Sequence, residues 1–115
     1  MKRIFACLAL LAICIGAYAQ TGKRVVTISK FHPISENRPA APASQNLIRV
    51  YVNSGDWGNT DCRRDAADLL ESDTHLLSIL LAAWIAGKTI AIEVDERSRP
   101  WSGDTVCQIT ALDIS

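Results

Sequence analysis

A mainly β domain with a single helix is what this sequence predicts, on three observations. Residues Ser72 to Gly87 place apolar side chains at helical spacing. Directly after Gly87 the apolar period changes to two, as it must when a helix gives way to a strand. Before the helix, β-branched runs are bounded by Pro, Gly and Asn, which is the punctuation of short strands.

Each element follows in chain order. Arg24 to Phe31 carries Val25, Val26, Thr27 and Ile28 and reads as the first strand, with Val26 and Ile28 on one face and Val25 and Phe31 on the other. His32-Pro33 is expected to stop it, because proline removes a ladder donor. Ser35 to Asn46, with Pro39 and Pro42, reads as a surface loop. Asn46 to Asn53 is the clearest strand: Ile48, Val50 and Val52 point one way, Arg49 and Tyr51 the other. Trp57 to Asp65 shows no period, and Ala66 to Leu70 reads as a short strand.

The helix is expected to start at Ser72 or Asp73, whose side-chain oxygen can accept from an orphan N–H of the first turn. Gly87 suits the left-handed residue that ends many helices, and Lys88 places positive charge at the negative end of the dipole. Ile90, Ile92 and Val94 then share one face of a strand. Glu96 to Gly103 is a charged loop holding Pro100 and Trp101. Thr105 to Ile114 closes the chain as a strand, with Val106, Leu112 and Ile114 on one face and Cys107, Ile109 and Ala111 on the other. The predicted order is β-β-β-α-β-β. That is the order of an OB-fold, a five-stranded Greek-key barrel whose end a helix plugs. An open α+β sheet with one helix across it buries the same faces and stands as the alternative.

The first residues are a separate matter. Lys2 and Arg3, the apolar run Ile4 to Ile15, and Ala17-Tyr18-Ala19 make up the three parts of a secretory signal peptide, residues 1–19, cleaved after Ala19. The run is too short for a bilayer core that needs about 20 residues, so no membrane insertion is expected. Residues 20–115 then form one OB-like domain that is secreted or periplasmic. The full chain has 115 residues with 12 basic and 12 acidic side chains, and losing Lys2 and Arg3 leaves the rest slightly acidic. With no basic excess, a nucleic-acid partner is not expected. Of the 4 cysteines, Cys62 and Cys107 lie beyond the leader. In an oxidising compartment they are expected to pair; the spacing of a zinc or redox site is missing.

Three stretches carry a family resemblance. Val25-Val26 through Phe31-His32, with Ile34 and Glu36-Asn37-Arg38-Pro39, is similar to the first strand and following polar turn of the B subunits of subtilase-cytotoxin and pertussis-like toxins. Asp56-Trp57-Gly58 resembles the Trp-Gly that precedes the helix region there, and Ala83 to Gly87 with the strand to Glu93 resembles the family's helix end and next strand. The chain also resembles small secreted bacterial proteins of unknown role that share a cysteine ahead of the helix, a Gly-Lys helix end and a late cysteine. The toxin resemblance implies a ring-forming homo-oligomer that binds a cell-surface glycan, delivers a secreted catalytic subunit, and lines its pore with the helix. The departures are Lys23 and Arg24 in place of a small hydroxyl residue at the first strand, and a second strand without the family's cysteine.

For catalysis the sequence offers little. His32 reads as a turn residue and His75 as a solvated first-turn residue. No nucleophile elbow, zinc signature or phosphate-cradling glycine loop occurs. No enzyme, cofactor or metal is expected. For binding, Trp57, Trp101 and Arg99 fall in polar loops, where aromatic rings stack on sugars and anchor interfaces. Each tryptophan has two readings, an exposed platform or a lid folded onto the domain. On the helix, Leu77, Leu81 and Trp84 are the candidate oligomer interface, because the mid-helix residues leave little polar surface.

Overall fold

The computed structural model describes residues 20–43, 45–101 and 103–114. The leader assigned to residues 1–19 lies outside them. Six strands and one helix follow in the order β-β-β-β-α-β-β: β1 (Thr21–Val26), β2 (Ile28–Ile34), β3 (Leu47–Val52), β4 (Ala66–Leu70), α1 (Thr74–Ile85), β5 (Ile90–Asp95) and β6 (Gln108–Asp113). They form one open sheet in the order β1-β5-β6-β4-β3-β2. The neighbours are antiparallel except β4 and β6, which pair in parallel at Asp68 and Gln108. The closed five-stranded barrel is therefore corrected to an open six-stranded sheet.

The extra strand comes from Thr27. Its N–H donates to Asn53 Oδ1 at 2.8 Å, and its carbonyl accepts from the Asn53 N–H at 3.1 Å. Both backbone groups are thus taken by one asparagine, and the ladder is interrupted there. β1 turns to β5, with Val26 opposite Ile90, while β2 turns to β3, with Ile28 opposite Val52. Val26 and Ile28 are both buried, as their shared face requires. Val25 and Phe31 part company: Val25 is exposed, whereas Phe31 packs against the core after a register shift between Ile28 and Lys30. Pro33 does not stop the strand either. β2 lies at the edge of the sheet order, where one neighbour suffices and a missing N–H costs least.

The core forms from alternate residues. Ile48, Val50 and Val52 of β3, Ala67 and Leu69 of β4, and Ile90, Ile92 and Val94 of β5 are all buried in one cluster. In β6, Ile109 joins that cluster and Leu112 packs against it, although three residues apart. The register slips near Thr110, where Glu93 faces Ala111 but Val94 faces Ile109. One extra residue returns the alternation to the other phase. Cys62 and Cys107 are joined, with Cα atoms 5.5 Å apart, and tie the segment before β4 to the segment before β6.

Helix α1 holds the apolar run from Leu76 to Ile85. Asp73 occupies the N-cap but makes no side-chain capping bond, so the expected cap is absent at that residue. The other end follows the expectation: Gly87 is left-handed at φ 66°. The Lys88 N–H donates to Ala83 O at 2.9 Å and the Gly87 N–H to Trp84 O at 3.1 Å, the bond pair of a Schellman end. The sheet does not cover the helix all round. Leu80 alone is fully buried, with Leu76, Leu77, Ile79 and Ala83 packed against the core, while Trp84 is 44% and Ile85 79% exposed. Among the described residues, no helix is long and apolar enough to cross a membrane.

Candidate functional site

The outer face of β2, β3 and β4 concentrates cations and aromatic rings. Because β3 alternates, turning Ile48, Val50 and Val52 inward obliges Arg49 and Tyr51 to project outward. Their neighbours across the sheet are fixed by register: Lys30 pairs with Tyr51, His32 with Arg49, and Arg49 in turn with Asp68.

Arg49 is the centre of this face. Its Nε donates to Asp68 Oδ1 at 2.8 Å and its Nη2 to Asp68 Oδ2 at 2.9 Å, a two-point fork. Nη2 also lies 3.2 Å from Asp104 Oδ2, in the loop before β6. The Trp101 ring lies over the guanidinium, 4.3 Å from Cζ to the ring centroid. Both Arg49 and Asp68 are buried although they point away from the core. Trp101 and Asp104, from the loop before β6, lie against Arg49. Burial works against both charges: it pushes the Asp68 carboxyl upward and would pull Arg49 down. At Arg49 the bonds to Asp68 and the charge of Asp104 more than offset it, and its pKa is raised.

Tyr51 stands beside this centre. Lys30 Nζ lies 4.7 Å from its ring centroid and Arg63 Cζ 5.8 Å. Arg63 is itself oriented by Asp65, Nε to Oδ1 at 2.6 Å. That bond first, and the nearby charge, hold Asp65 below the ordinary carboxylate range. The face therefore carries three cation–ring contacts on two rings, Arg49 with Trp101 and both Lys30 and Arg63 with Tyr51. Such an arrangement can grip a flat or ring-shaped polar ligand, although Arg49 and Arg63 are already balanced by Asp68, Asp104 and Asp65. Among the described residues, no three His, Cys, Asp or Glu side chains are grouped to hold a metal ion.

The sequence-predicted binding residues separate. Trp57 is 1% exposed, so it is a core lid and its ring offers no open platform. Its Nε1 donates to Arg63 O at 2.8 Å, and Arg24 lies over the ring at 4.5 Å. Arg99 donates from Nη2 to Asp61 Oδ1 at 2.5 Å and from Nε to Glu96 O at 3.2 Å, tying two loops together. Trp101, half-buried over Arg49, is the one of the three placed on the cation-rich face. The proposed interface residues also divide. Leu77 packs inward, Leu81 is partly exposed, and Trp84 meets Phe31 edge-on at 5.2 Å.

Lys30, Arg49, Tyr51, Arg63 and Asp68 were not among the expected site residues. Asp68 offered a signal, a charge inside the apolar strand Ala66-Ala67-Asp68-Leu69-Leu70. A lone carboxylate at such a position calls for a cation on a neighbouring strand. Compared with protein-family models, with curated proteins and with solved structures, the chain matches none.

Proposed function

We propose that this chain is a secreted or periplasmic, non-enzymatic protein that binds carbohydrate on the outer face of β2, β3 and β4. The observation that carries the reading is the Trp101 ring held over the buried Arg49, on the face where Tyr51 stands between Lys30 and Arg63. Aromatic rings stack on the apolar faces of sugars, and a backing cation fixes the ring without a flexible tether. Arg49 and Arg63 are already paired with carboxylates, so Lys30, beside Tyr51, is the cation that favours a sugar carrying an acidic group.

An OB-like description belongs to the same proposal. β1 and β2 stand at the two ends of the sheet order yet are separated in the chain only by Thr27. If they act as one bent strand, β3 and β4 take the place of the strands on which OB-folds bind oligosaccharides. The resemblance of Val25 to Pro39, Asp56 to Gly58 and Ala83 to Glu93 to toxin B subunits favours a cell-surface glycan as ligand and a secreted catalytic subunit as partner. A rival reading, an accessory protein or inhibitor that binds another protein, is favoured by the exposed Trp84 and Ile85.

A glycan array probed with the oxidised protein tests the proposal. Binding should be confined to a group of glycans, acidic members foremost. Trp101→Ala should lower it about tenfold or more, the order of one aromatic contact. A folded protein that binds no glycan, or whose binding is untouched by both Trp101→Ala and Tyr51→Ala, overturns it.

A further inference from the structure

Strand β2 turns a lysine and a histidine toward the ring-bearing face, with no carboxylate for either. Lys30 and His32 alternate with Phe31, which packs against the core, so both project outward, and both are exposed. His32, expected in a turn, thus sits inside a strand. Register places Lys30 opposite Tyr51 and His32 opposite Arg49. The other cations of this face are taken, Arg49 by Asp68 and Asp104 and Arg63 by Asp65. Among the described residues no carboxylate pairs with Lys30 or His32, and what Lys30 meets is the Tyr51 ring. The charged groups facing His32 are therefore Lys30 on its own strand and Arg49, with its two carboxylates, on β3. Helix α1 meets β2 on the other side, through Trp84 and Phe31, and carries His75 but no Asp, Glu, Lys or Arg.

We propose that Lys30 and His32 together seat the acidic group of the sugar, and that protonation of His32 sets how tightly that group is held. This seat presupposes the carbohydrate reading and adds to it where the acidic group goes. Two residues apart on one face of a strand, the two side chains start about 7 Å from each other, which leaves room for one carboxylate between an ammonium and an imidazolium. The Tyr51 ring, and the Trp101 ring over Arg49, lie one strand further in. A sugar stacked on either ring can therefore turn a substituent toward β2. Without an anion, a charge on His32 is opposed by Lys30 beside it; with the anion between them, the same charge is favoured. Proton and acidic sugar thus support each other, and by linkage each raises the affinity for the other by one and the same factor. A neutral sugar has no part in this coupling.

Titration of the oxidised protein with glucuronate and with glucose, followed by NMR of the backbone amides and the histidine rings, gives the test. Glucuronate keeps its charge from about pH 8 to about pH 5, the interval in which histidine side chains gain theirs, so a change in its affinity there belongs to the protein. Its binding should strengthen about threefold to fivefold on acidification, the order of one exposed ion pair, while glucose binding stays level. His32→Gln should abolish the gain, and Lys30→Met should remove the preference for glucuronate over glucose at about pH 8. Both positions are exposed, so both variants should keep the parent's circular dichroism. Bound glucuronate should also let the His32 ring hold its proton to higher pH, with no such effect on His75. Equal binding of the two sugars overturns the seat and leaves the carbohydrate reading standing. So does a gain on acidification that survives His32→Gln, or a preference that survives Lys30→Met. If neither sugar binds, the seat is overturned, and the glycan array decides the carbohydrate reading by itself.

Discussion

Arg49 and Asp68 face each other at directly paired positions of β3 and β4, and the guanidinium meets both carboxylate oxygens at 2.8 and 2.9 Å. An ion pair in this position lies on the outside of a sheet yet is shut off from water. The Trp101 stack and Asp104 lay the loop before β6 across it. A single arginine therefore joins two strands and a loop, and the same contact shapes the candidate binding face.

Breaking that pair from one side should be costly. Arg49→Ala leaves the Asp68 carboxylate buried without its cation, and a loss of about 3–5 kcal/mol is expected. Replacing both, as Arg49→Met with Asp68→Leu, should recover most of it, because no charge is then stranded. Urea unfolding followed by circular dichroism measures both. Equal losses in the single and double variants would mean that the pairing is not what Arg49 contributes.

Gly22 lies against the backbone of Trp57, and a Cβ there would come within 2.3 Å of the Trp57 carbonyl oxygen. Backbone cannot swing aside as a side chain can. Gly22→Ala is expected to destabilise by about 1–3 kcal/mol, the range of an overpacked core. The thermal midpoint should fall accordingly, and a midpoint equal to that of the parent would show that β1 shifts freely.

The Cys62–Cys107 link closes a separation of 45 residues, and both cysteines are buried. In the chain-entropy model its removal costs about 4 kcal/mol. Cys62→Ala with Cys107→Ala should shift the urea midpoint downward by that order. Because the sulfurs are covered, reduction of the native protein by dithiothreitol should be slow and should accelerate sharply in denaturant. Rapid thiol release in buffer alone would contradict the buried placement.

Acid should weaken the fold through Asp65 and Asp95. A hydrogen bond from Arg63 holds Asp65, and one from Arg97 holds Asp95, below the usual carboxylate range. Each lowered group adds stability above its unfolded pKa, about 3.9, and loses it as pH falls through the folded value. Stability should therefore drop below about pH 4. The Asp65 carboxyl and the Arg97 guanidinium are open to solvent, although Asp95 itself is largely covered, so added salt should shrink the effect. Asp95→Asn should flatten part of the slope in denaturation curves taken from pH 6 to pH 2. An unchanged slope would exclude Asp95 as a contributor.

Much of this architecture could be read along the chain. Alternation places Ile48, Val50, Val52, Ile90, Ile92 and Val94 inside, since a strand with one buried face admits no other register. Ala66–Leu70 forms the expected short strand, and Gly87 ends the helix where a left-handed residue is needed. Cys62 and Cys107 pair as expected. These features depend on neighbours in sequence, or on a choice among very few partners.

Tertiary structure decided the remainder. Thr27 splits a strand because Asn53, 26 residues away, takes both of its backbone groups. Trp57 is a lid and Trp101 a cover because of what each meets, Gly22 and Arg63 for one and Arg49 for the other. The face with Arg49, Asp68, Tyr51, Lys30 and Arg63 exists only once three strands are in register, for no two of those charges or rings that touch are neighbours in the chain. Periodicity reports which side of an element is apolar. It carries no information on which polar side chains from distant segments will meet on the other side, and that meeting is where the candidate site lies.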